Sequence, residues 1–406
     1  MERRVVITGL GIWSCLGTNL DEVRQSLYSG KSGIIFSQAR KDAGFRSALC
    51  ADVPKADLKK YLSRDLRKLM PEEAQYGYLA TIQALEHAKL DQDFLDQNEV
   101  GVIYGNDSVA EATMQALDKF RQAGSTAACG SGAIFQSMNS TVTMNLATLL
   151  HLRGINLTAS AACASGSHSV GLGYLLIKDG LQDCIICGGA QEANMFSVAS
   201  FDGLMAFSTR EDEPTKASRP FDRDRDGLVP GGGAATLVLE SYEHAVMRGA
   251  PILAEIVGWG FSGNGDHIST PNVAGPTRSL ELCLKNGGIN PRDIGYINAH
   301  ATSTHAGDGR EALAIANIFG DYRVPVTSTK SQTGHEMWMA GASELIYSIL
   351  MMKNDFIGGS LNFENPDEDT ACINVIPETR EAHFDMFLSN SFGFGGTNSS
   401  LIIKNL

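Results

Sequence analysis

The chain has 406 residues, too many for one small hydrophobic core, so its length predicts two domains or one duplicated unit. Its 43% hydrophobic and 19% charged residues are ordinary for a globular protein. The net charge of −13 argues against binding to nucleic acid or to anionic membranes, although a local basic patch can still bind an acidic partner.

The cellular compartment follows from the start of the chain and its cysteines. MERRVVITGLGI enters a strand-like run with no signal peptide before it, and eight cysteines are scattered along the chain. This pattern predicts a cytoplasmic protein with reduced thiols. No apolar run approaches the ~18 residues of a membrane span, so we expect none.

Strands and helices are predicted in alternation along the chain. The predicted strands are 3–9, 99–105, 155–160, 183–190, 233–241, 251–261, 294–300, 324–329 and 400–405. The predicted helices are 21–30, 72–90, 144–154, 164–180, 275–288, 308–320 and 342–354. This alternation predicts layered α/β architecture. The order loosely repeats without a linker, which predicts two similar halves, 1–250 and 251–406, packed as one body.

The segment GINLTASAACASGSHSVG places Cys163 between a predicted strand and a predicted helix. Free N–H groups at a helix N-terminus favour a thiolate and lower a cysteine pKa. The small neighbours of Cys163 leave room for a substrate. Cys163 is therefore a candidate nucleophile, and a buried structural thiol is the alternative.

The segment INAHATSTHAGDGREA follows a predicted strand and begins its polar part at His300. Thr302 and Thr304 alternate behind His300 and can present hydroxyls on one side. Asp308 and Glu311 have the spacing of a capping box, which favours a structural role at the start of a helix.

The segment VTSTKSQTGHEMWMAGASE presents Lys330 directly after a strand and His335 after a glycine-containing turn. Its place in the second half matches that of Cys163 in the first. A pseudo-twofold axis would bring the two loops together at the centre. Glu344 is the predicted ion-pair partner of Lys330.

The segment LSNSFGFGGTNSSLII carries three glycines and two aromatic residues, Phe392 and Phe394, before the last strand. Its backbone N–H groups can point at an oxyanion. The alternative is a tight turn with two core aromatic side chains.

Taken together, these segments resemble the β-ketoacyl-acyl-carrier-protein synthases, the elongating condensing enzymes of fatty acid and polyketide synthesis. The resemblance rests on VVITGLGI, SAACASG, PFDRDRDGLVPGGGA, NAHATST, STKSQTGH and NSFGFGGTN, in family order over essentially the whole chain. It implies the thiolase fold, with two pseudo-duplicated α/β halves in five α-β-α-β-α layers, usually as a dimer.

The resemblance also implies roles for individual residues. Cys163 would accept the acyl group, with His300 and His335 completing the site. Lys330, paired with Glu344, would set its electrostatics. The N–H groups of Cys163 and Phe394 would form the oxyanion hole.

The remaining site residues would bind substrate or support the site. Thr302 and Thr304 would contact the phosphopantetheine arm, and Phe392 and Phe394 would line the acyl path, which Phe394 would gate. Asp308 and Glu311 are predicted to have supporting roles.

The implied reaction transfers an acyl chain to Cys163 and condenses it with malonyl-carrier protein, releasing CO₂. The expected partners are an acyl carrier protein and a second subunit, either identical or a chain-length factor. No metal or redox cofactor is expected.

Three departures from the family pattern affect the prediction. Ala301 replaces a glycine after the first histidine and is predicted to add a methyl beside the pantetheine path. Glu336-Met337-Trp338-Met339 replaces small residues. Ser108 stands where the family often has a bulky acyl-pocket residue, and its small size predicts a longer pocket and a specialised, polyene-type synthase.

Other classes of protein are distinguishable. A thiolase usually has a second catalytic cysteine near the C-terminus, where this chain has SFGFGGTN. A chain-length factor lacks the nucleophile, whereas Cys163 is present. A cysteine hydrolase would pair one histidine with Asn or Asp, which leaves the second histidine unexplained.

Overall fold

The computed structural model describes residues 3–406, whose main element is an eleven-stranded mixed sheet in the order β12-β10-β9-β14-β15-β8-β1-β7-β6-β4-β5. The strands within residues 3–406 are β1 (Val5–Trp13), β2 (Ile34–Phe36), β3 (Leu49–Ala51), β4 (Val100–Gly105), β5 (Asn156–Ala159), β6 (Cys184–Gln191), β7 (Gly233–Ser241), β8 (Ala254–Gly263), β9 (Tyr296–Asn298), β10 (Pro325–Thr327), β11 (Phe356–Ile357), β12 (Asn374–Val375), β13 (Arg380–Glu381), β14 (Met386–Gly393) and β15 (Thr397–Asn405).

Helices cover both sides of each half of this sheet. They are α1 (Leu20–Ser29), α2 (Gln38–Asp42), α3 (Arg64–Arg67), α4 (Glu72–Ala88), α5 (Gln92–Gln97), α6 (Glu111–Ala123), α7 (Ala133–Ser137), α8 (Thr141–Leu149), α9 (Ser165–Lys178), α10 (Ala199–Gly203), α11 (Tyr242–Met247), α12 (Ala274–Gly287), α13 (His305–Phe319), α14 (Lys330–Thr333) and α15 (Ala340–Lys353).

The sheet consists of two similar halves joined at one short antiparallel contact. Val5–Ile7 of β1 pairs with Ala254–Ile256 of β8. Moving outward from this join, one half runs β1-β7-β6-β4-β5 and the other β8-β15-β14-β9-β10. The two halves therefore repeat one topology, as the sequence predicts, and the chain enters the second half at β8.

Helices α9 and α15 form the middle layer between the two halves. They pack on each other, and each has a glycine where the two backbones approach closely. A Cβ at Gly166 would lie 2.9 Å from the Ala342 nitrogen, and one at Gly341 would lie 2.5 Å from the Ser167 nitrogen. These glycines let the start of one helix rest on the start of the other.

The apolar core shows the five layers. A central cluster joins residues of α9 and α15 to strands of both halves, including Ile185 and Phe387. A second cluster packs α4 and α8 on the outer side of the first half, and a third packs α12 and α13 on the second. The predicted α-β-α-β-α thiolase-like arrangement is confirmed.

Several helices and strands are absent from the sequence prediction, among them β14 and α6. The segment before the last strand is itself a strand, β14, whose first six residues are buried. None of the residues of helix α6 is buried. Cys184 and Cys187 lie in the buried core strand β6. Within residues 3–406, no helix is long and apolar enough to cross a membrane.

Candidate active site

The Cys163 side chain is mounted on a short 3₁₀ turn between β5 and α9. We call residues 161–164 the nucleophile turn. Ala162 has φ +46°, a left-handed conformation that costs energy for a residue with a Cβ. The Ala162 N–H donates to an Asp107 carboxylate oxygen at 3.2 Å, and the Ala161 N–H donates to Ser165 Oγ at 2.8 Å. These bonds hold the turn that directs Cys163.

The electrostatics at Cys163 differ from the sequence prediction. Burial raises the pKa of the Cys163 thiol to about 12, and the negative Asp107 adds to the rise. The Lys330 charge and the N–H groups of Cys163 and Phe394 act in the opposite direction. The prediction of a lowered pKa is wrong for this structure, because removal from water outweighs the N–H groups at the helix start.

The two predicted histidines lie side by side. The rings of His300 and His335 are perpendicular, with centroids 5.3 Å apart, and Phe392 lies 5.9 Å from His300. The Met337 N–H donates to His335 Nδ1 at 3.2 Å, so the neutral ring carries its proton on Nε2. His335 Nε2 and His300 Nδ1 are buried and have no hydrogen-bond partner within residues 3–406.

Both imidazoles are held neutral. Burial and the positive charge of Lys330 lower the pKa of His300 and of His335 well below its usual value. Lys330 itself is buried and forms an ion pair with Glu344, as predicted from the sequence. A fixed positive charge thus stands beside two neutral histidines.

The backbone that carries His300 is held by two buried carboxylates on α13. Glu311 accepts the N–H groups of His300 at 2.9 Å and Ala301 at 2.7 Å, and Asp308 accepts that of Thr302 at 2.9 Å. Helix α13 begins at His305, so Asp308 and Glu311 lie inside it. The capping-box prediction is therefore wrong, and the pair supports the loop instead.

One cavity of about 320 Å³ collects the predicted residues. It is lined by Cys163, both histidines, Thr302, Thr304, Phe392 and Phe394. The Thr302 and Thr304 hydroxyls are 3.1 Å apart. Strand β14 passes close to the nucleophile turn at Gly393, where a Cβ would lie 2.9 Å from the Ala161 carbonyl oxygen. This approach brings the Phe394 N–H to the Cys163 sulfur.

Two of the family departures lie elsewhere than predicted. Ala301 is buried in the apolar core of the second half and does not line the cavity. Ser108 does not line this cavity either. Its hydroxyl lies 3.3 Å from Nε1 of Trp338, which donates to it, so an indole occupies the space beside the small serine.

Sequence reasoning missed Asp107 and Asn390, and it noted Glu336 as a family departure without giving it a contact. Asp107 holds the nucleophile turn, and Asn390 donates to Glu311 at 3.0 Å. Glu336 is buried and accepts from Ser343 and Tyr347 hydroxyls. The partners of Asp107 and Asn390 lie 55 and 79 residues away, so neither residue left a local signal. Glu336 bonds to residues 7 and 11 positions later, and its local signal is a charge within an apolar run.

The fold and the site define a class of protein. A cysteine at a helix start, two neutral histidines and a buried lysine stand where two pseudo-duplicated α/β halves meet. Among residues 3–406, Cys163 is the only cysteine that lines the cavity, and no cluster of three or more His, Cys, Asp or Glu could hold a metal ion. This arrangement is that of a condensing enzyme of the thiolase-like fold.

Family models make the assignment specific. Residues 2–245 match the β-ketoacyl synthase N-terminal domain and residues 253–364 the β-ketoacyl synthase C-terminal domain. The chain belongs to the β-ketoacyl synthase family and is an acyltransferase.

Relatives and solved structures agree over full length. The chain is 41% identical over 405 residues, 99% of each chain, to 3-oxoacyl-[acyl-carrier-protein] synthase 1 of Haemophilus influenzae. It superposes with a TM-score of 0.96 and 37% identity on a β-ketoacyl synthase from Burkholderia phymatum, covering 100% of both chains. The ishigamide ketosynthase/chain length factor matches with a TM-score of 0.92 and 31% identity, also over 100% of both.

Proposed function

We propose that this chain condenses an acyl group held on Cys163 with malonyl-acyl-carrier protein, giving 3-oxoacyl-carrier protein and CO₂. The observation that carries the proposal is the convergence of one thiol, two unpartnered imidazole nitrogens and two N–H groups at one cavity. The reaction serves fatty acid synthesis or specialised polyketide and polyene synthesis, and the preferred acyl donor distinguishes them.

In the first half-reaction, the Cys163 sulfur attacks the thioester carbonyl of acyl-carrier protein. The oxygen that becomes negative accepts the N–H groups of Cys163 and Phe394, as in an oxyanion hole. The bond to the carrier sulfur breaks, and the proton from Cys163 ends on the carrier thiol. Burial raises the pKa of the free thiol, so the proton stays on Cys163 until the sulfur attacks the bound thioester.

In the second half-reaction, malonyl-carrier protein loses its carboxylate as CO₂, and the bonding electrons form an enolate. His335 Nε2–H and His300 donate to the thioester oxygen, where the charge develops. The enolate carbon attacks the acyl-cysteine carbonyl, and the Cys163 sulfur leaves and takes up a proton. Lys330 stabilises the negative charge across the site, and the steps use no metal or redox cofactor.

The carrier arm is proposed to enter through the same cavity. Thr302 and Thr304 line it beyond the histidines, and their hydroxyls can donate to the pantetheine amides. Phe392 and Phe394 line it nearer to Cys163. Because Phe394 is 39% exposed, it can swing aside to admit an acyl chain, which supports its role as the gate.

A basic groove is the proposed docking surface for the acidic carrier protein. The groove is lined by Lys55, Lys59, Arg64, Arg67 and Lys68. A cluster of this kind on a chain of net charge −13 attracts an acidic partner locally. The alternative is a solvated helix face. Arg67→Glu should weaken carrier binding and make the remaining binding less sensitive to salt if the groove is the docking surface.

A second subunit is proposed to pair at the free edge of the sheet. Strand β5 is the edge strand and exposes Leu157, and the segment before α8 exposes Ile134, Phe135 and Met138. Exposed apolar side chains beside an unpaired strand edge favour pairing with another chain. A homodimer or a ketosynthase/chain-length-factor heterodimer satisfies this, and light scattering of the purified chain separates them.

The test is the intact mass of the protein after incubation with a panel of acyl-carrier proteins, for wild type and Cys163→Ser. We expect an acyl adduct on wild type only, discharged with CO₂ release when malonyl-carrier protein is added. If no donor gives an adduct, with or without candidate partner subunits, the proposed role of Cys163 is wrong. A chain that is acylated only by CoA thioesters would instead be a thiolase.

A further inference from the structure

Trp338 occupies the apolar side of the nucleophile. It is 6% exposed and shares one apolar cluster with Cys163, Val198, Phe207 and Leu228. Its ring lies 6.2 Å from that of Phe201. An indole is among the largest side chains and fills a volume that an aliphatic chain could otherwise use.

The position of the indole is fixed at both ends. Its Nε1–H donates to Ser108 Oγ at 3.3 Å. Its backbone follows Met337, which has φ +47° and donates its N–H to His335 Nδ1. Trp338 is therefore tied to the catalytic cluster through the backbone and to the Ser108 segment through the side chain, so it cannot move away without losing a partly buried hydrogen bond.

The open cavity stops before Trp338. Cys163, Phe201 and Leu228 line the cavity, whereas Trp338 and Ser108 do not. In the proposed reaction the carrier arm occupies the open side of Cys163, so an acyl chain on the sulfur extends toward the apolar cluster. There it meets the indole.

We propose that Trp338, held by Ser108, is the end wall of the acyl-binding space and sets the longest acyl chain that Cys163 accepts. This inference rests on the proposed function and identifies a specificity-determining residue. It also reverses the expectation from Ser108 alone, because the room left by the small serine is occupied by a side chain from the other half of the protein.

The experiment measures acylation of Cys163 by intact mass for a series of saturated acyl-carrier proteins of increasing length. Trp338→Ala is expected to accept longer chains than wild type and to raise the ratio of long-chain to short-chain acylation at least tenfold, since each methylene in an apolar pocket changes discrimination by about 10-fold or more. An unchanged length limit would overturn the proposal.

Two further variants keep the test decisive if Trp338→Ala does not fold. Trp338→Phe keeps the apolar packing, removes the bond to Ser108 and is expected to move the limit in the same direction by less. Ser108→Ala removes only the bond and should also move it slightly. Trp13→Phe is the control, because it alters an indole that donates to the Pro54 carbonyl and does not line the cavity. It should keep the wild-type limit on acyl length.

A second probe separates this inference from the proposed function. N-alkyl iodoacetamides of increasing alkyl length react with the Cys163 thiol without any carrier protein. If Trp338→Ala reacts with longer probes than wild type but no acyl-carrier protein forms an adduct, the role of Trp338 as the end wall is supported and the proposed reaction is wrong. If adducts form and both length limits stay at wild type, only the end wall fails.

Discussion

The two turns at the centre of the molecule share a backbone conformation but carry side chains with different roles. The nucleophile turn has its counterpart in residues 336–339, which we call the counterpart turn. Ala162 and Met337 both have left-handed φ, of +46° and +47°, and each is the first residue of a 3₁₀ turn that leads into a 14-residue helix. Position for position, the counterpart of Cys163 is Trp338, because each lies two residues before its helix.

The hydrogen bonds of the two turns also correspond. The Ala162 N–H is accepted by Asp107, and the Met337 N–H is accepted by His335. In the first half, the turn presents the nucleophile Cys163. In the second half, the equivalent turn bonds to His335 and places the Trp338 indole beside the nucleophile. A duplicated scaffold can thus supply both the reacting group and its boundary from equivalent positions.

The largest effect should come from the histidine of the counterpart turn. His335→Ala removes the Nε2–H donor from the developing enolate and should lower malonyl decarboxylation by about 10²–10³-fold. Acylation of Cys163 should fall much less, because its oxyanion hole is made by backbone N–H groups. Measured CO₂ release against adduct formation checks this, and equal losses in both steps would contradict it.

The glycines where α9 and α15 meet test the symmetry of the packing. A Cβ at Gly341 would lie 2.5 Å from Ser167 nitrogen, whereas one at Gly166 has its nearest contact at 2.9 Å. Gly341→Ala should therefore destabilise the fold by about 1–3 kcal/mol, and Gly166→Ala by less. Thermal unfolding of both variants gives the order, and Gly203→Ala is the control for a glycine with nothing within 4 Å and no left-handed φ.

Glu336, the residue before Met337, is expected to make the stability of the fold depend on pH. Burial raises its pKa from 4.5 to about 8. The folded state thus binds a proton that the unfolded state releases, so the group favours folding less as pH rises from about 4.5 to about 8. Glu336→Gln removes this dependence, and its melting temperature should fall less between pH 5 and pH 8 than that of wild type. Identical slopes would contradict the burial argument.

The smallest effect is expected at Asp107, the acceptor in the nucleophile turn. Its negative charge raises the pKa of Cys163. Asp107→Asn keeps an oxygen for the Ala162 N–H but removes the charge, so Cys163 should react with iodoacetamide at lower pH, with a severalfold higher rate near neutrality. Asp107→Ala, which also loses the acceptor, should lower the rate of acyl transfer as well. A wild-type pH profile for the Asn variant would show that the charge has no influence.

The sequence by itself determined the layered α/β class, the repeat of two halves and the candidate residues Cys163, His300, Lys330 and His335. These depend on local signals: hydrophobic periodicity, and reactive residue types placed directly after strands. Glu344 was also predictable as the partner of Lys330, because a buried lysine needs an opposite charge.

The tertiary structure decided what surrounds those residues. The pKa of Cys163 depends on burial by residues of both halves that are distant in sequence, which no property of the segment SAACASG reveals. Asp308 and Glu311 have capping spacing in the sequence, yet in the fold they accept N–H groups of the His300 loop. The small Ser108 predicts a longer acyl pocket, whereas in the fold Trp338, 230 residues later in the chain, lies against it. Local sequence fixes which groups are present, whereas desolvation and long-range packing fix what each group can do.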